Sequence, residues 1–448
     1  MRGMTTWFFK TVREAGYPGL FNHWDMIMRT MEIPARALVP AIAQHTYFAH
    51  PNPVPTRNLA KKSRGSVFMG GFDRDTTVDQ SSALNSSYFR AAATARFFDR
   101  PYMITEYSHC SFNRYRHERG LYFASYAALQ GWDDLTPHAD TVRLSVDPLW
   151  CFESGTDPVS RASEVVAGFA FLRGDVKEAP HSVGLLLKDK NLFPKNYLAA
   201  IGDDYGKLSM LSKVGILYPE GKPLMKVGSF KPTLTIEPES FSPLRVMSWY
   251  VSADNSDGTI FPELAERLRM EKILPADNRT DWSKRIYQSE TGELTLDAKN
   301  NRMTVVTPRL EGAILKPGQS ADLPVLSVAK VPSPVSVAAA SLNADETLKD
   351  SGHILLTVAT NAFNTNMTFE NASLFCCVNP GELPVLMESI QCRIELATTH
   401  GKKPKVYALH LDGTRFAELP CSLENGRLIL ALDTSKLKNG TPFFEIVY

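Results

Sequence analysis

Clusters of polar and aromatic residues follow apolar runs at four places early in the chain. They are Asn22-His23-Trp24-Asp25, His45-Thr46-Tyr47 with His50, Glu106-Tyr107-Ser108-His109, and Trp132-Asp133. Aromatic faces stack on the apolar side of a pyranose ring, while His, Asn and Asp side chains bond its hydroxyls. The mixture therefore favours a sugar-binding site.

Glu106 is the residue best suited to chemistry in these clusters. It directly follows the apolar run Tyr102 to Ile104, so we expect its carboxylate at a strand end, aimed at the centre of the site. The competing interpretation is a structural ion pair with Arg114 or Arg116, because such pairs are common at strand ends. Spacing alone does not separate the two.

The elements that must position these clusters are strands backed by helices. The first 175 residues alternate apolar runs with helical patterns, which is typical of an α/β unit with parallel strands. Helical spacing is clear over Thr5 to Ala15 and over the Ala-rich segment Glu118 to Leu129. In α/β barrels the functional groups collect at the carboxyl ends of the strands, which is where the clusters fall.

The pattern changes at about residue 176. After a mixed stretch with one predicted helix near Asn196 to Met210, short alternating runs separated by Gly, Pro, Asn and Asp dominate. Ile354 to Val358 and Lys405 to Leu409 are examples. Period-two runs at this spacing predict β-sandwich domains. We expect an α/β domain at 1–175, a mixed and then β-rich module at 176–330, and a C-terminal β-sandwich at 331–448.

Composition excludes several classes of protein. With 448 residues, 44% hydrophobic and 22% charged, the chain can bury a sizeable core. The 49 Lys and Arg against 48 Asp and Glu argue against a nucleic-acid partner. No run approaches about 18 uninterrupted apolar residues, and charge appears too early for a signal peptide, so no membrane partner is expected. The six cysteines show no metal spacing, so we expect neither a metal nor another cofactor.

The motifs together resemble those of a known enzyme class. Three segments are similar to the seventh- and eighth-strand region of clan A retaining glycoside hydrolases, the (β/α)8 enzymes that include β-galactosidases, cellulases and β-mannosidases. These segments are Ile104-Thr105-Glu106-Tyr107-Ser108-His109, Asn113-Arg114-Tyr115-Arg116-His117-Glu118 and Ala127-Ala128-Leu129-Gln130-Gly131-Trp132-Asp133. His45-Thr46-Tyr47-Phe48-Ala49-His50-Pro51 is similar to the sixth-strand end. Further segments resemble parts of large, mostly bacterial members with β-sandwich tails: Phe171-Leu172-Arg173-Gly174-Asp175-Val176, Thr307-Pro308-Arg309 and Asn364-Thr365-Asn366-Met367. The resemblance thus covers nearly the whole chain, but only the block from Thr105 to His109 is specific to catalysis.

The resemblance implies a fold and a set of roles. The fold would be multidomain α/β plus all-β: the C-terminal half of a (β/α)8 TIM barrel, strands five to eight, followed by β-sandwich domains. Glu106 would be the nucleophile, Tyr47 would hydrogen-bond and orient it, and Trp132 would floor the glycone subsite. The remaining candidate substrate-binding residues are Asn22, His23, Trp24, His45, His50, Tyr107, His109, Asn113 and Arg114.

The chain departs from the family pattern in one respect. The family takes its acid/base carboxyl from an Asn-Glu pair ending strand four, and no Asn-Glu precedes Glu106. Glu32 lies in a helical run and is a poor substitute. We therefore expect a retaining β-glycosidase that is truncated or degenerate, weakly active or inactive alone, with the absent barrel half or a second copy as partner. The resemblance suggests a secreted or periplasmic bacterial protein.

Two other functions stay open on the residues alone. A non-catalytic carbohydrate-binding protein would keep the aromatic residues without a working carboxylate pair. A purely structural protein, with sandwiches used for packing or oligomerisation, would bind no glycan.

Overall fold

The computed structural model describes residues 1–22, 25, 30–48, 83–85, 87–111, 113–139, 141–142, 145–150, 152–192, 199–239, 241–243, 260–369, 374 and 377–448. The chain is mixed α/β, with parallel sheets and helices in its N-terminal part and large antiparallel sheets after them. No closed barrel forms among these residues.

The secondary-structure elements are numbered in chain order. The helices are α1 (Arg2–Glu14), α2 (Ile33–Arg36), α3 (Tyr88–Ala93), α4 (Arg119–Gln130), α5 (Pro158–Ala167), α6 (Asp189–Leu192), α7 (Asp203–Lys207) and α8 (Phe261–Met270). The strands of the N-terminal part are β1 (Ile42–Tyr47), β2 (Tyr102–Ser108), β3 (Asp134–Pro137), β4 (Ser182–Leu186), β5 (Ala199–Ile201), β6 (Lys213–Leu217), β7 (Leu234–Ile236) and β8 (Phe241–Pro243). Among the described helices, none has both the length and the apolar character needed to cross a membrane.

The strands of the antiparallel part follow. They are β9 (Ile286–Gln288), β10 (Leu294–Asp297), β11 (Arg302–Val306), β12 (Leu310–Leu315), β13 (Ala321–Asp322), β14 (Leu326–Val328), β15 (Val335–Ser341), β16 (His353–Ala359), β17 (Ala362–Thr365), β18 (Thr368–Phe369), β19 (Cys377–Asn379), β20 (Glu382–Met387), β21 (Gln391–Ala397), β22 (Lys405–Leu409), β23 (Arg415–Leu419), β24 (Ser422–Glu424), β25 (Arg427–Asp433) and β26 (Phe443–Val447).

The candidate site belongs to a parallel sheet in the order β1-β2-β3. Asp25 extends it beyond β1 through an isolated parallel bridge to Ala43. Parallel neighbours need a crossover, and α4 supplies it between β2 and β3. Every residue of α4 is buried, and Gly131 ends the helix in the left-handed conformation with φ of 61°. The carboxyl ends of these strands consequently share one edge of the sheet.

A second parallel sheet, in the order β6-β4-β7, lies beside the first part of the chain. The backbone of Phe97 forms a parallel bridge with Ile216 in β6, which links the segment before β2 to this second sheet. Buried residues from both sheets, from α4 and from β10 to β12 belong to one hydrophobic cluster. The parallel sheets and the start of the antiparallel region therefore share a core.

The antiparallel region contains a nine-stranded sheet and a five-stranded sheet. Their orders are β23-β22-β26-β16-β15-β12-β11-β10-β9 and β13-β14-β21-β25-β24. Buried side chains of both sheets form a second hydrophobic cluster. The predicted boundary at residue 330 falls between β12 and β15, which are paired neighbours in the nine-stranded sheet.

The nine-stranded sheet also packs on α4. A Cβ on Gly312 in β12 would lie 2.8 Å from a terminal side-chain carbon of Leu121 in α4, so the strand and the helix approach each other closely at this glycine. β12 and β15 are buried along their whole length, as expected for strands covered on both faces. The helix thus lies between the parallel sheet and the antiparallel region.

A buried ion pair joins the segment after β2 to the start of α5, and the same arginine reaches the start of β17. The Arg116 guanidinium donates to the Asp157 carboxylate at 2.8 Å, and neither side chain is exposed. Arg116 also donates to the Asn361 side-chain oxygen and, at 2.6 Å, to the Ala362 carbonyl. Asp157 in turn caps α5 by accepting from the Val159 amide at 3.1 Å. One arginine therefore connects three separate parts of the chain.

Candidate functional site

The site is shaped by an extra residue in β2. Gln44 in β1 is paired with Ile104, but the next residue, His45, is paired with Glu106, so Thr105 has no counterpart. The ladder between β2 and β3 shows a shift in the same stretch. An unpaired residue of this kind is a β-bulge, which re-aims the side chains around it.

The bulge decides on which face Glu106 lies. Ile104 and Tyr107 are buried, and the Tyr107 ring stacks on Phe123 of α4 with centroids 4.7 Å apart. Strict alternation would put residue 106 on the same face as Ile104. With the extra residue, Tyr107 takes the helix-facing position instead. Thr105 and Glu106 then project, half-buried, towards Asp25 and the side chains of β1.

Tyr47 and Glu106 are in direct contact. The Tyr47 hydroxyl donates a hydrogen bond to a carboxylate oxygen of Glu106 across the β1–β2 ladder. Burial and this hydrogen bond raise the pKa of Tyr47 far above its ordinary value, so the phenol stays protonated as the donor. Arg116, considered in the sequence as an ion-pair partner of Glu106, binds Asp157 instead.

Asp25 and His45 complete the polar part of the site. The Thr105 hydroxyl donates to Asp25 at 2.5 Å, and His45 Nδ1 lies 3.6 Å from the same carboxylate oxygen. Burial alone would raise the pKa of Asp25, but the His45 ring and the Thr105 hydroxyl together lower it. One side-chain ligand atom from each of Asp25, His45 and Glu106 lies within 4.8 Å of the other two. The sequence lacks a metal-ligand spacing, yet the fold assembles a group of three that could hold an ion.

Aromatic rings surround Tyr47 on the side of the loop after β3. The Tyr47 ring centroid lies 5.9 Å from that of His138 and 5.4 Å from that of Phe152, and Trp150 lies 5.9 Å from Phe152. The Asn364 side chain, in β17, fixes this loop by bonding the amide and carbonyl of Leu149 at 2.6 and 3.1 Å. β17, in the antiparallel part of the chain, therefore helps to position the site.

Trp132 is packed among aromatic residues of the core. It is 4% exposed and stacks on Phe89 with centroids 4.8 Å apart. It also packs against Tyr102, at the start of β2, and against Phe123 of α4, whereas Glu106 lies near the other end of β2 on the face away from α4. We therefore leave Trp132 out of the site, and Tyr107 with it because that ring faces α4.

The remaining predicted residues divide into three groups. His109 and Asn113 are buried away from solvent: His109 packs on Phe48 and Tyr88, and Asn113 accepts from the Tyr115 amide at 2.8 Å. Burial holds the pKa of His109 well below its ordinary value. Asn22 and Arg114 are half-buried. His23, Trp24 and His50 lie outside the described residues.

Sequence reasoning missed four residues of the site: Asp25, His138, Trp150 and Phe152. Asp25 was part of a predicted cluster, but nothing local singled out its carboxylate. His138 was missed because Trp132-Asp133 was read as a strand end, although β3 begins at Asp134. Gly131 was the available signal, because a glycine that ends a helix puts the next residues at the start of the following strand.

Glu32 does not supply the missing carboxyl group. It lies in a 3-10 turn, Thr30–Glu32, is 7% exposed, and accepts from Arg36 at 3.3 Å. Asp25 is the carboxyl group that the structure brings near Glu106. The lowered pKa of Asp25 makes it an anion at neutral pH, which is the opposite of what a general acid requires.

Comparison of the chain with protein-family models, with curated proteins and with solved structures finds no match. The functional argument therefore depends on the residues of the site itself.

Proposed function

We propose that this chain carries the nucleophile side of a retaining β-glycosidase site, with Glu106 as the nucleophile. The observation that supports the proposal is the hydrogen bond from Tyr47 to the Glu106 carboxylate at the carboxyl ends of adjacent parallel strands. The parallel positions of Asp25, β1, β2 and β3 are what strands five to eight of a (β/α)8 barrel would give.

The chemistry would proceed in two steps. The Glu106 carboxylate attacks the anomeric carbon and forms a glycosyl ester as the aglycone oxygen leaves, and water then hydrolyses the ester. The Tyr47 hydroxyl holds the attacking carboxylate in place, and the rings of Trp150 and Phe152 offer apolar surface for a sugar. Protonation of the leaving oxygen is worth about 10²–10⁴-fold. A chain without that acid would cleave ordinary glycosides slowly.

A substrate whose leaving group needs no proton tests the proposal directly. Fluoride and dinitrophenolate leave unaided, so 2-deoxy-2-fluoro-β-glycosides carrying them require only the nucleophile. We expect the full chain to gain the mass of one fluoroglycosyl group, on the peptide that contains Glu106. Gluco, galacto and manno versions would be used, because the geometry does not select the sugar.

Glu106→Gln should gain no mass, whereas Glu263→Gln, which changes an exposed carboxyl group of α8, should be labelled as the wild type is. Absence of labelling with all three sugars, or labelling that survives Glu106→Gln, would rule out Glu106 as nucleophile.

Removal of the Tyr47 hydroxyl should slow the labelling. Tyr47→Phe keeps the ring against His138 and Phe152 but loses a hydrogen bond to a charged group, worth about 1.5–3 kcal/mol. We expect the labelling rate to fall about ten- to hundredfold, measured by intact-protein mass spectrometry over time. Tyr122→Phe removes a buried hydroxyl that makes no hydrogen bond among the described residues, and should leave the rate unchanged. Equal rates for both variants would contradict the positioning role of Tyr47.

A non-catalytic carbohydrate-binding protein is the second candidate, and the ionised state of Asp25 favours it because no proton donor is then assigned. Calorimetry with oligosaccharides, on the wild type and on Trp150→Ala, separates the two functions. Binding that depends on Trp150, without any fluoroglycosyl adduct, would support the binding protein over the glycosidase.

A further inference from the structure

Asp25, His45 and Glu106 have the chemistry of a metal site as well as of a sugar site. They come from adjacent positions of one parallel sheet, and a ligand atom from each lies within 4.8 Å of the other two. Carboxylate oxygens and imidazole nitrogens bind Zn²⁺ at about 2.0–2.2 Å, so two ligands of one ion lie about 3–4 Å apart. The three ligand atoms, each within 4.8 Å of the other two, lie near that range.

A second observation concerns the His45 ring. Its Nδ1 atom is buried and makes no hydrogen bond to any of the described residues. The nearest carboxylate oxygen, on Asp25, is 3.6 Å away, which is too long for a hydrogen bond. The same separation is appropriate for two ligands on one tetrahedral ion. The separation of the pair therefore fits two ligands of one ion and is slightly longer than a direct hydrogen bond.

Two hydroxyl groups that donate hydrogen bonds to the carboxylates also suit a metal site. Thr105 donates to Asp25 and Tyr47 donates to Glu106, so each carboxylate is already oriented by a hydroxyl. Such outer contacts normally hold metal ligands in position. The His45 and Asp25 side chains are 18% and 39% exposed, so both lie at the edge of the site, although the His45 Nδ1 atom itself is covered.

We propose that Asp25, His45 and Glu106 bind one divalent transition-metal ion such as Zn²⁺. Three protein ligands with an open position is the arrangement of sites that exchange water or substrate. The inference does not depend on the glycosidase proposal, although both use Glu106. An ion bound there occupies the carboxylate and competes with its attack on a sugar.

Zn²⁺ alone, titrated calorimetrically into the chelator-treated full chain, tests the site. We expect binding of one ion, and a loss of at least about tenfold in affinity for each of His45→Ala, Asp25→Asn and Glu106→Gln. Glu106→Gln and Asp25→Asn keep the size of the side chain, which guards against failure to fold. His353→Ala is the matched control, since His353 forms a separate pair with Glu445 at 2.7 Å and should not affect binding of this ion.

Co²⁺ provides a spectroscopic readout of the same site. Its visible absorption reports the ligand set, so we expect a band in the wild type that is altered in His45→Ala and retained in His353→Ala. Undiminished Zn²⁺ affinity in His45→Ala and in Asp25→Asn, or no binding by the wild type, would overturn the proposal.

The two proposals fail separately. His45-dependent Zn²⁺ binding without a fluoroglycosyl adduct would leave the metal site in place and remove the glycosidase. An adduct on Glu106 that forms at the same rate with and without Zn²⁺ would support the glycosidase and rule out the metal site. If both hold, Zn²⁺ should slow the labelling of Glu106 in the wild type and have no effect on labelling in His45→Ala.

Discussion

Arg116→Met is expected to lower the free energy of unfolding by about 3–5 kcal/mol, the usual result of removing one partner from a buried ion pair. The Asp157 carboxylate, completely buried, would remain charged without its counter-ion. The Ala362 carbonyl and the Asn361 side chain would lose a donor at the same time. The midpoint of urea unfolding, followed by tryptophan fluorescence, measures the effect.

A double-mutant cycle separates the interaction energy of Arg116 and Asp157 from the packing of their side-chain carbon atoms. Asp157→Asn removes the charge but keeps a side chain that caps a helix well. We expect Arg116→Met/Asp157→Asn to be more stable than the sum of the single changes predicts, because the double variant buries no unpaired charge. An unfolding midpoint for Arg116→Met equal to that of the wild type would show that the pair contributes nothing to stability.

Trp132→Ala is expected to damage the fold and not a sugar site. A buried tryptophan replaced by alanine leaves a large cavity and costs about 3–5 kcal/mol. Phe89, Tyr102 and Phe123 all lose ring contacts with it. Urea unfolding should show an earlier midpoint, and any loss of sugar binding should follow the loss of folded protein.

Trp150→Ala is the matched comparison for this change. Trp150 is half-buried in the loop that faces Tyr47. Trp150→Ala should therefore destabilise the fold less than Trp132→Ala does, and weaken sugar binding more. A Trp132→Ala protein that unfolds as the wild type does, but no longer binds sugar, would return Trp132 to the site and contradict its placement in the core.

The local elements were largely predictable from the sequence. Glu118 to Leu129 was predicted as a helix, and α4 spans Arg119–Gln130. Lys405 to Leu409 was predicted as a strand and is β22. Both depend on the periodicity of apolar residues, which is a local property of the chain. The expected order of α/β structure followed by antiparallel structure is confirmed, but the parallel sheet of β4, β6 and β7 continues beyond the predicted change at residue 176 to Ile236.

Features that depend on register and long-range packing were not predictable. Nothing in the run Tyr102 to Ile104 shows that β2 carries an extra residue, so the face on which Glu106 lies follows from the ladder and not from alternation. The pairing of β12 with β15 across residue 330 likewise needs the assembled sheet. Short apolar runs specify that strands form, not which strands become neighbours.

The composition of the site illustrates the same limit. Tyr47 and Glu106 were associated through a resemblance, and the structure brings them into contact. Asp25 joins them only because a single backbone bridge aligns it with β1. His138, Trp150 and Phe152 come from a loop that Asn364, far away in the sequence, holds in place. Catalytic and binding roles for these residues stay predictions until the experiments above are made.

The extra residue in β2 lets the strand carry two consecutive side chains, Thr105 and Glu106, on the face of the site. With Thr105 deleted, regular alternation would keep Ile104 and Tyr107 towards α4 and Glu106 on its present face. The carboxylate would then keep its side of the sheet, while Asp25 would lose the hydroxyl that donates to it. A single codon lost here would thus spare the reactive carboxylate and remove a support of its neighbour, so natural variants should be compared for insertions and deletions in this stretch as well as for substitutions.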